Sequence, residues 1–319
     1  MAERSIIDQL DDAVSALLAN SEPVVSETDR ELSELVAVAR ELRGLPSEQF
    51  RAALKEQLGG REMSSSAVKA KSFKREGFHT VTPYLIVKPA VELVDFVKHA
   101  FGAVESFRAT GSAGGLHCEV KIGESVVMIG GGPTFDTRPA AIHLYVPNVD
   151  EVYARAMAAG ATSVVPPSDQ AYGERVAGIK DIGGNEWYIA TRFDQTPVQD
   201  LHMVTMYFHP LGAPKFIDFL QKAFGGEVVE RHQSEHGFVY HAKVRLGDSI
   251  VEMGEAHDQW QPMPSAIYMY VDDVDATYQR ALSAGATSAL EPTNQPYGDR
   301  NAWVNDEFGN VWYLSTWLG

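Results

Sequence analysis

The side chains of this chain that could do chemistry sit at alternate positions of short apolar runs. In residues 116–122, Leu116, Cys118, Val120 and Ile122 share one face of an extended strand, which leaves His117, Glu119 and Lys121 on the other. Residues 240–246 repeat the arrangement, with Tyr240, Ala242, Val244 and Leu246 set against His241, Lys243 and Arg245. If helices cover the apolar face, the polar face is concave. Thr82, Tyr84, His143, Tyr145 and Tyr188 then join His117, and Thr205, Tyr207, Tyr268, Tyr270 and Tyr313 join His241. A phenol ring offers apolar area and a hydroxyl together, so such faces suit an aromatic or partly polar small molecule. Two plainer readings stay open: the histidines are solvated strand residues, and the tyrosines are core residues with satisfied hydroxyls.

These faces come in pairs because the chain repeats itself. Ala100-Phe101-Gly102 recurs as Ala223-Phe224-Gly225, a shift of 123 residues. Val149-Asp150 and Ala159-Gly160-Ala161-Thr162-Ser163 recur at Val274-Asp275 and Ala284-Gly285-Ala286-Thr287-Ser288, a shift of 125. Tyr172-Gly173-Glu174-Arg175 and Gly184-Asn185-Glu186-Trp187-Tyr188 return at the same shift as Tyr297-Gly298-Asp299-Arg300 and Gly309-Asn310-Val311-Trp312-Tyr313. Residues 78–193 and 202–318 therefore read as duplicated domains.

Within the first copy, 80–87 reads as a strand and 91–101 as a helix with Val91, Val94, Val97 and Phe101 on one side. Strands at 116–122 and 125–130 follow, turning at Gly123-Glu124. A second unit begins with a strand at 142–146, and Asn148 with Glu151 caps a helix that ends at Gly160. Strands near 162–166, 175–181 and 186–191 complete it. Arg175 is expected to pair with a nearby carboxylate such as Asp181, and His79 and His202 fall on the face away from the site. Ahead of the repeats, 1–58 reads as helices, with apolar residues such as Ile6, Leu10 and Val14 at helical spacing, and 59–77 as a flexible linker rich in Gly, Ser and Lys.

The composition narrows the function class. Hydrophobic residues make up 45% and charged residues 22%, as in ordinary globular chains. A formal charge of −16 repels phosphate backbones and anionic bilayers, so neither nucleic acid nor membrane is an expected partner. A single cysteine, Cys118, excludes an internal disulfide, and the first residues carry Glu3 and Asp8 without an apolar run; the cytoplasm is the expected compartment. No P-loop, dinucleotide-binding glycine pattern or nucleophile elbow stands in a supporting context.

The doubled order, with Ala-Phe-Gly after the first helix, Ala-Gly-Ala after the second and a terminal Asp-x-x-Gly-Asn-x-Trp, resembles the vicinal-oxygen-chelate superfamily. The nearest likeness is to the PhnB-like glyoxalase/bleomycin-resistance proteins, over residues 78–318. The resemblance implies an α+β fold of two tandem domains, each of two βαβββ units whose curved mixed sheets enclose a cavity, behind an N-terminal helical segment. Metal-dependent members place His, Glu, His or Gln, and Glu on the first, fourth, fifth and eighth strands. The matching positions are Thr82, Met128, His143 and Tyr188 in the first domain and Thr205, Glu252, Tyr268 and Tyr313 in the second. Neither set holds a divalent ion well, because Thr, Met and neutral Tyr are poor ligands.

The family also shares sites between the first half of one domain and the second half of its partner. Crosswise pairing would give one set of Thr82, Met128, Tyr268 and Tyr313, an organic pocket, and another of Thr205, Glu252, His143 and Tyr188. In the second, a carboxylate and an imidazole converge, enough for a weakly held divalent metal completed by water or for acid–base work. The first expectation is thus a small-molecule-binding protein with no certain cofactor. A metal-dependent lyase or isomerase built on Glu252 and His143 is the second, and docking of a protein partner through residues 1–58 the third.

Overall fold

The computed structural model describes residues 72–319 apart from 112–113 and 195–197. The helices expected over 1–58 and the linker up to residue 71 lie outside the described residues. The chain divides into two units between Lys69 and Ala70, and the second unit holds both repeats.

Four consecutive βαβββ modules make up that unit. The first comprises β1 (Val81–Ile86), α1 (Ala90–Phe101), β2 (Val104–Thr110), β3 (Leu116–Ile122) and β4 (Ser125–Gly131). The second comprises β5 (Ala141–Tyr145), α2 (Val149–Ala158), β6 (Thr162–Gln170), β7 (Glu174–Lys180) and β8 (Glu186–Arg192). The second repeat supplies β9 (Val204–Phe208), α3 (Ala213–Phe224), β10 (Glu227–Gln233), β11 (Val239–Leu246) and β12 (Ser249–Met253), then β13 (Ala266–Tyr270), α4 (Val274–Ser283), β14 (Thr287–Asn294), β15 (Asp299–Asn305) and β16 (Val311–Trp317).

The modules pair crosswise. One eight-stranded sheet runs β14-β15-β16-β13-β1-β4-β3-β2 and the other β10-β11-β12-β9-β5-β8-β7-β6. Each sheet thus joins one half of each repeat through an antiparallel seam, Thr82 opposite Tyr268 in the first and His143 opposite Thr205 in the second. The helices instead pair within a repeat, α1 on α2 and α3 on α4. Arg155 of α2 donates to the carbonyl of Ala100, and Arg280 of α4 to that of Ala223. One hydrophobic core runs through both sheets and all four helices, with Trp187 and Trp312 fully buried in it.

The repeated motifs have structural explanations. Gly102 and Gly225 end α1 and α3 in the left-handed region at φ 70°, and the Gly102 N–H closes the helix on Lys98 while Phe101 packs on Trp187 at 4.6 Å. Asn148 caps α2 by accepting from the Glu151 N–H, as expected. In the Asp-x-x-Gly-Asn-x-Trp turn the aspartate is the hub. Asp181 accepts from the N–H groups of Gly183 and Asn185, the Asn185 amide and the Trp187 indole, and Asp306 accepts from Phe308, Asn310 and Trp312 in the same way.

Several expectations are corrected. Arg175 pairs with Asp150 and Asp169, both at 2.7 Å, because Asp181 is consumed inside its own turn. Val91 is 51% exposed, whereas Val94 and Val97 of the expected face are buried and Leu93 and Phe96 join them. The edge strands β2 and β10 escaped notice because both faces of each are largely polar and exposed, so no alternation marks them. Residues 72–77, the end of the stretch read as linker, are docked. The Phe73 carbonyl accepts from the Trp317 N–H, Lys74 pairs with Asp248, and Arg75 grips Glu119 with two hydrogen bonds of 2.6 and 3.1 Å.

Removing a turn carboxylate would strand several buried donors at once. Asp181→Ala or Asp306→Ala is expected to destabilise the chain by on the order of 3 kcal/mol, measured by urea denaturation, with a far smaller loss for Asp150→Ala at the exposed Arg175 pair.

Candidate functional site

The seam between β5 and β9 decides which side chains meet. Glu252 of β12 stands opposite Lys243 of β11 and beside Tyr207 of β9. Across the seam come His143 and Tyr145 of β5. The Tyr145 hydroxyl donates to Glu252 Oε1 at 2.9 Å, His143 Nδ1 lies 3.2 Å from the same oxygen, and His241 Nε2 lies 3.4 Å from Oε2. Glu252 is 1% exposed. Burial opposes its ionisation, but His143, Lys243 and His241 outweigh that cost and hold the carboxyl at about 2. Burial lowers the His241 pKa and raises that of the second carboxylate, Glu174.

These groups form the floor of a cavity of about 950 Å³. Its walls are aromatic: Tyr188 meets Tyr207 at 5.2 Å and Trp260 at 5.5 Å, and Trp260 stacks on His209 at 5.8 Å. The Tyr188 hydroxyl donates to Glu186 at 3.0 Å and lies 2.9 Å from His209 Nε2. Three buried polar atoms at the floor have no hydrogen-bond partner: Glu252 Oε2 and both ring nitrogens of His143, whose contact with Oε1 lies off the hydrogen-bond direction. Orphaned buried polar atoms of this kind are rare and call for an explanation, such as a ligand that completes them.

The expected residues divide by sheet. His143, Tyr145, Tyr188, Tyr207, His241 and Glu252 line this cavity together. Thr205 does not; its hydroxyl turns to the carbonyl of His202. Of the four positions mapped onto the family's metal ligands, two are therefore sound donors. Thr205 is engaged elsewhere and the Tyr188 hydroxyl is shared between Glu186 and His209, so the set does not fit a four-ligand divalent centre.

The other sheet brings Thr82, Tyr84, His117, Met128, Tyr268, Tyr270 and Tyr313 to the matching face, but there the chain fills its own space. Met128, Tyr268 and Tyr270 pack with Phe78, and Phe73, Tyr84 and Tyr313 close around them. Tyr268 donates to Asp299, which also accepts from Ser315, so this tyrosine is a core residue with a satisfied hydroxyl. Tyr84 lies 3.3 Å from His117, and Thr82 is buried. The organic pocket expected on this face is occupied by Phe73, Arg75 and Phe78.

Some cavity residues were not foreseen. Glu174 is adjacent to Arg175 in a strand, so alternation alone could have pointed it inward. Tyr240 was placed on the apolar face. A bulge shifts the register from His232–His241 to Gln233–Val239, which leaves Tyr240 unpaired, 62% exposed and at the cavity rim. Outside the cavity, His79 and His202 stack at 3.4 Å, and each has a nitrogen within 4.8 Å of an Asp248 oxygen. That carboxylate already pairs with Lys74 and accepts from the Thr80 N–H.

Comparison with known proteins agrees with the fold. The model of the Glyoxalase/Bleomycin resistance protein/Dioxygenase superfamily matches residues 212–314. An uncharacterized protein of Mycobacterium bovis is 34% identical over 136 residues, covering 39% of this chain and 86% of its own length. A Mycobacterium tuberculosis counterpart is equally similar, with 77% of its length covered. Among solved structures, glyoxalase I from Zea mays superimposes with a TM-score of 0.58 at 13% identity, covering 74% of this chain and 92% of that one. A proposed dioxygenase from Bacillus subtilis gives 0.52 at 14% identity, covering 74% and 84%. At such identities the likeness is one of fold.

His209 gives the site a pH signature. Burial pushes its pKa down to about 4, from about 6.5 in the unfolded chain. Its contribution to stability is complete above pH 6.5 and is lost as the pH falls from there through 4, since only the unfolded chain then takes the proton readily. His209→Asn is expected to lose about 2 kcal/mol less stability than the parent between pH 7 and pH 4.5, read from denaturant unfolding at the two pH values.

Proposed function

From the premise that this chain belongs to the glyoxalase/bleomycin resistance protein/dioxygenase superfamily, we propose that it binds a small aromatic or partly polar molecule in the cavity over its second sheet. One observation carries the reading: a buried, ionised Glu252 with an unpartnered oxygen lies beside His143, whose ring nitrogens are unpartnered too, on the floor of a tyrosine-walled space of about 950 Å³. A drug-sized molecule fits that volume. The tyrosines supply flat contact area, and the floor supplies the few polar contacts that fix orientation. Over the other sheet, Phe73, Arg75 and Phe78 pack into the matching space. The composition that pointed to the cytoplasm suits a protein handling a soluble metabolite or drug there.

A second reading, a lyase or isomerase working by proton transfer, is favoured by the Glu252–His143 contact itself. With its carboxyl held at about 2, Glu252 is too weak a base to take protons near neutral pH. Its part would be to orient and stabilise charged imidazole, leaving proton exchange to the histidines on either side. Any divalent ion at this centre would have Glu252 and His143 as its protein ligands.

A screen of small aromatic and heteroaromatic compounds by thermal shift is expected to yield ligands that raise the melting temperature. Tyr188→Ala should weaken them by about tenfold, since it removes one wall of the cavity. Tyr313→Ala, in the filled sheet, should leave their affinity unchanged while lowering stability. If no compound stabilises the chain, or if Tyr313→Ala weakens binding and Tyr188→Ala does not, the cavity is not the binding site.

A further inference from the structure

The two sheets carry the same site in two states, and the filled one shows what the open one lacks. A shift of 124 residues relates His117 to His241, Glu119 to Lys243 and Met128 to Glu252. Glu119 stands directly opposite Met128, and Lys243 directly opposite Glu252. Between the sheets, the buried carboxylate has thus moved to its cross-strand neighbour, a Cβ displacement of roughly 5 Å. The side chain reaches the same space from either strand. Both carboxylates are almost wholly enclosed, Glu119 at 3% and Glu252 at 1% exposure. Each has the matching imidazole against it, His117 at 3.6 Å and His241 at 3.4 Å.

They differ in what sits on them. Arg75 reaches Glu119 with both arms of its guanidinium, which lies 4.7 Å from the centre of the Phe78 ring, and Phe78 meets Tyr270 edge-on at 5.6 Å. Tyr270 is the counterpart, at a shift of 125, of Tyr145, the residue that donates to Glu252. A flat cation with an aromatic face against it is the occupant the chain supplies to the first sheet. The residue equivalent to Arg75 at a shift of 123 is Val198, which has no charge to give. Over the second sheet, Lys243 is drawn to Glu230 at 3.0 Å, and burial favours the neutral form of His241. Five carboxylates and two fixed cations line the cavity, counting Glu174, Asp194, Glu230, Glu252 and Glu255 against Arg192 and Lys243, together with five histidines, of which His143 lies against Glu252. The open site is a buried anion in an aromatic enclosure.

We infer that the ligand of the cavity over the second sheet is cationic, a guanidinium, amidinium or protonated amine on a flat apolar body, which meets Glu252 as Arg75 meets Glu119. The inference rests on reading that cavity as a ligand site and names the ligand's chemical class. Charge-assisted, bidentate hydrogen bonds to a buried carboxylate are the contacts such a ligand would gain and its neutral analogue would lose. In the first sheet the same contacts are intramolecular, which turns a binding site into a clasp for the segment that enters β1.

Benzamidine, benzamide and benzoate share one ring and differ in charge, so calorimetric titration of the full chain with each isolates this term. Benzamidine is expected to bind one site at least about tenfold more tightly than benzamide, with benzoate weakest. Glu252→Gln should bring benzamidine down to the affinity of benzamide while leaving benzamide within about twofold. Equal affinity for benzamidine and benzamide, a preference for benzoate, or no binding of benzamidine overturns the inference. If uncharged aromatic compounds still stabilise the chain in those cases, the cavity remains a ligand site and only the charge assignment falls. If none does, the proposed function falls with it. The wild-type comparison decides the matter even if the Glu252→Gln variant fails to fold.

Discussion

The rest of the structure depends on the pairing of β1 with β13 and of β5 with β9. A βαβββ module taken alone leaves its first strand with an open edge, a row of backbone groups that must find partners once buried. Two modules satisfy each other by laying those edges together antiparallel. With four modules in one chain, the sheets could close within each repeat or across the two, and here they close across. The helices close the other way, α1 on α2 and α3 on α4 within a repeat. Sheets sewn across the repeats and helices sewn within them leave neither repeat a complete core of its own. Cooperative behaviour of residues 72–319 follows from that interlock more than from any single contact.

The same seam creates the site. Glu252 and His143 come from different repeats, 109 residues apart, and are neighbours only because β9 and β5 are neighbours. Closure within each repeat would put Glu252 beside the second repeat's Tyr268 and leave His143 opposite Met128's module, with no carboxylate at either mapped position of the first repeat. Because the repeats differ in sequence, crosswise closure yields two sites that no symmetry holds equal. One has a carboxylate on β3 and an arginine docked on it from the segment ahead of β1. The other has its carboxylate on β12 and an open space above it.

Much of this was legible in the sequence, and the limits were physical. The repeat, the module order and the capping residues could be read because they depend on local constraints: a left-handed glycine after a helix, an asparagine that accepts from the third residue on, apolar alternation along a strand. Crosswise pairing could be named only as one of two closures, since both satisfy the same edges. Convergence of Glu252 with His143 followed once that closure was chosen, whereas the contacts of Tyr145 and His241 with Glu252 appear only in the structure. What stayed hidden was whatever breaks alternation or comes from outside the repeat. The bulge at Tyr240 reverses the face on which its ring appears, and β2 and β10 have no apolar side to reveal them. Phe73 and Arg75 belong to a segment whose composition is that of a linker, and only the partner face, with Glu119 turned inward, shows why it is held.

The charge on Glu252 bears on how the site can be regulated. With its carboxyl held at about 2, Glu252 stays ionised at any pH a cell experiences, so its own charge does not vary with pH. The groups around it are less settled. Burial lowers the His241 pKa and raises that of Glu174, so each is pushed from its ordinary value toward its neutral form. Acidification would charge His241 against Glu252 and at the same time neutralise Glu174, and both changes reduce the negative field in the cavity. A cationic occupant would therefore be held most tightly at neutral pH and above, and released toward acid. An occupant that bound only through the aromatic walls would be nearly indifferent to the same change. The fixed carboxylate supplies the attraction, and its two titrating neighbours set the range over which that attraction is felt.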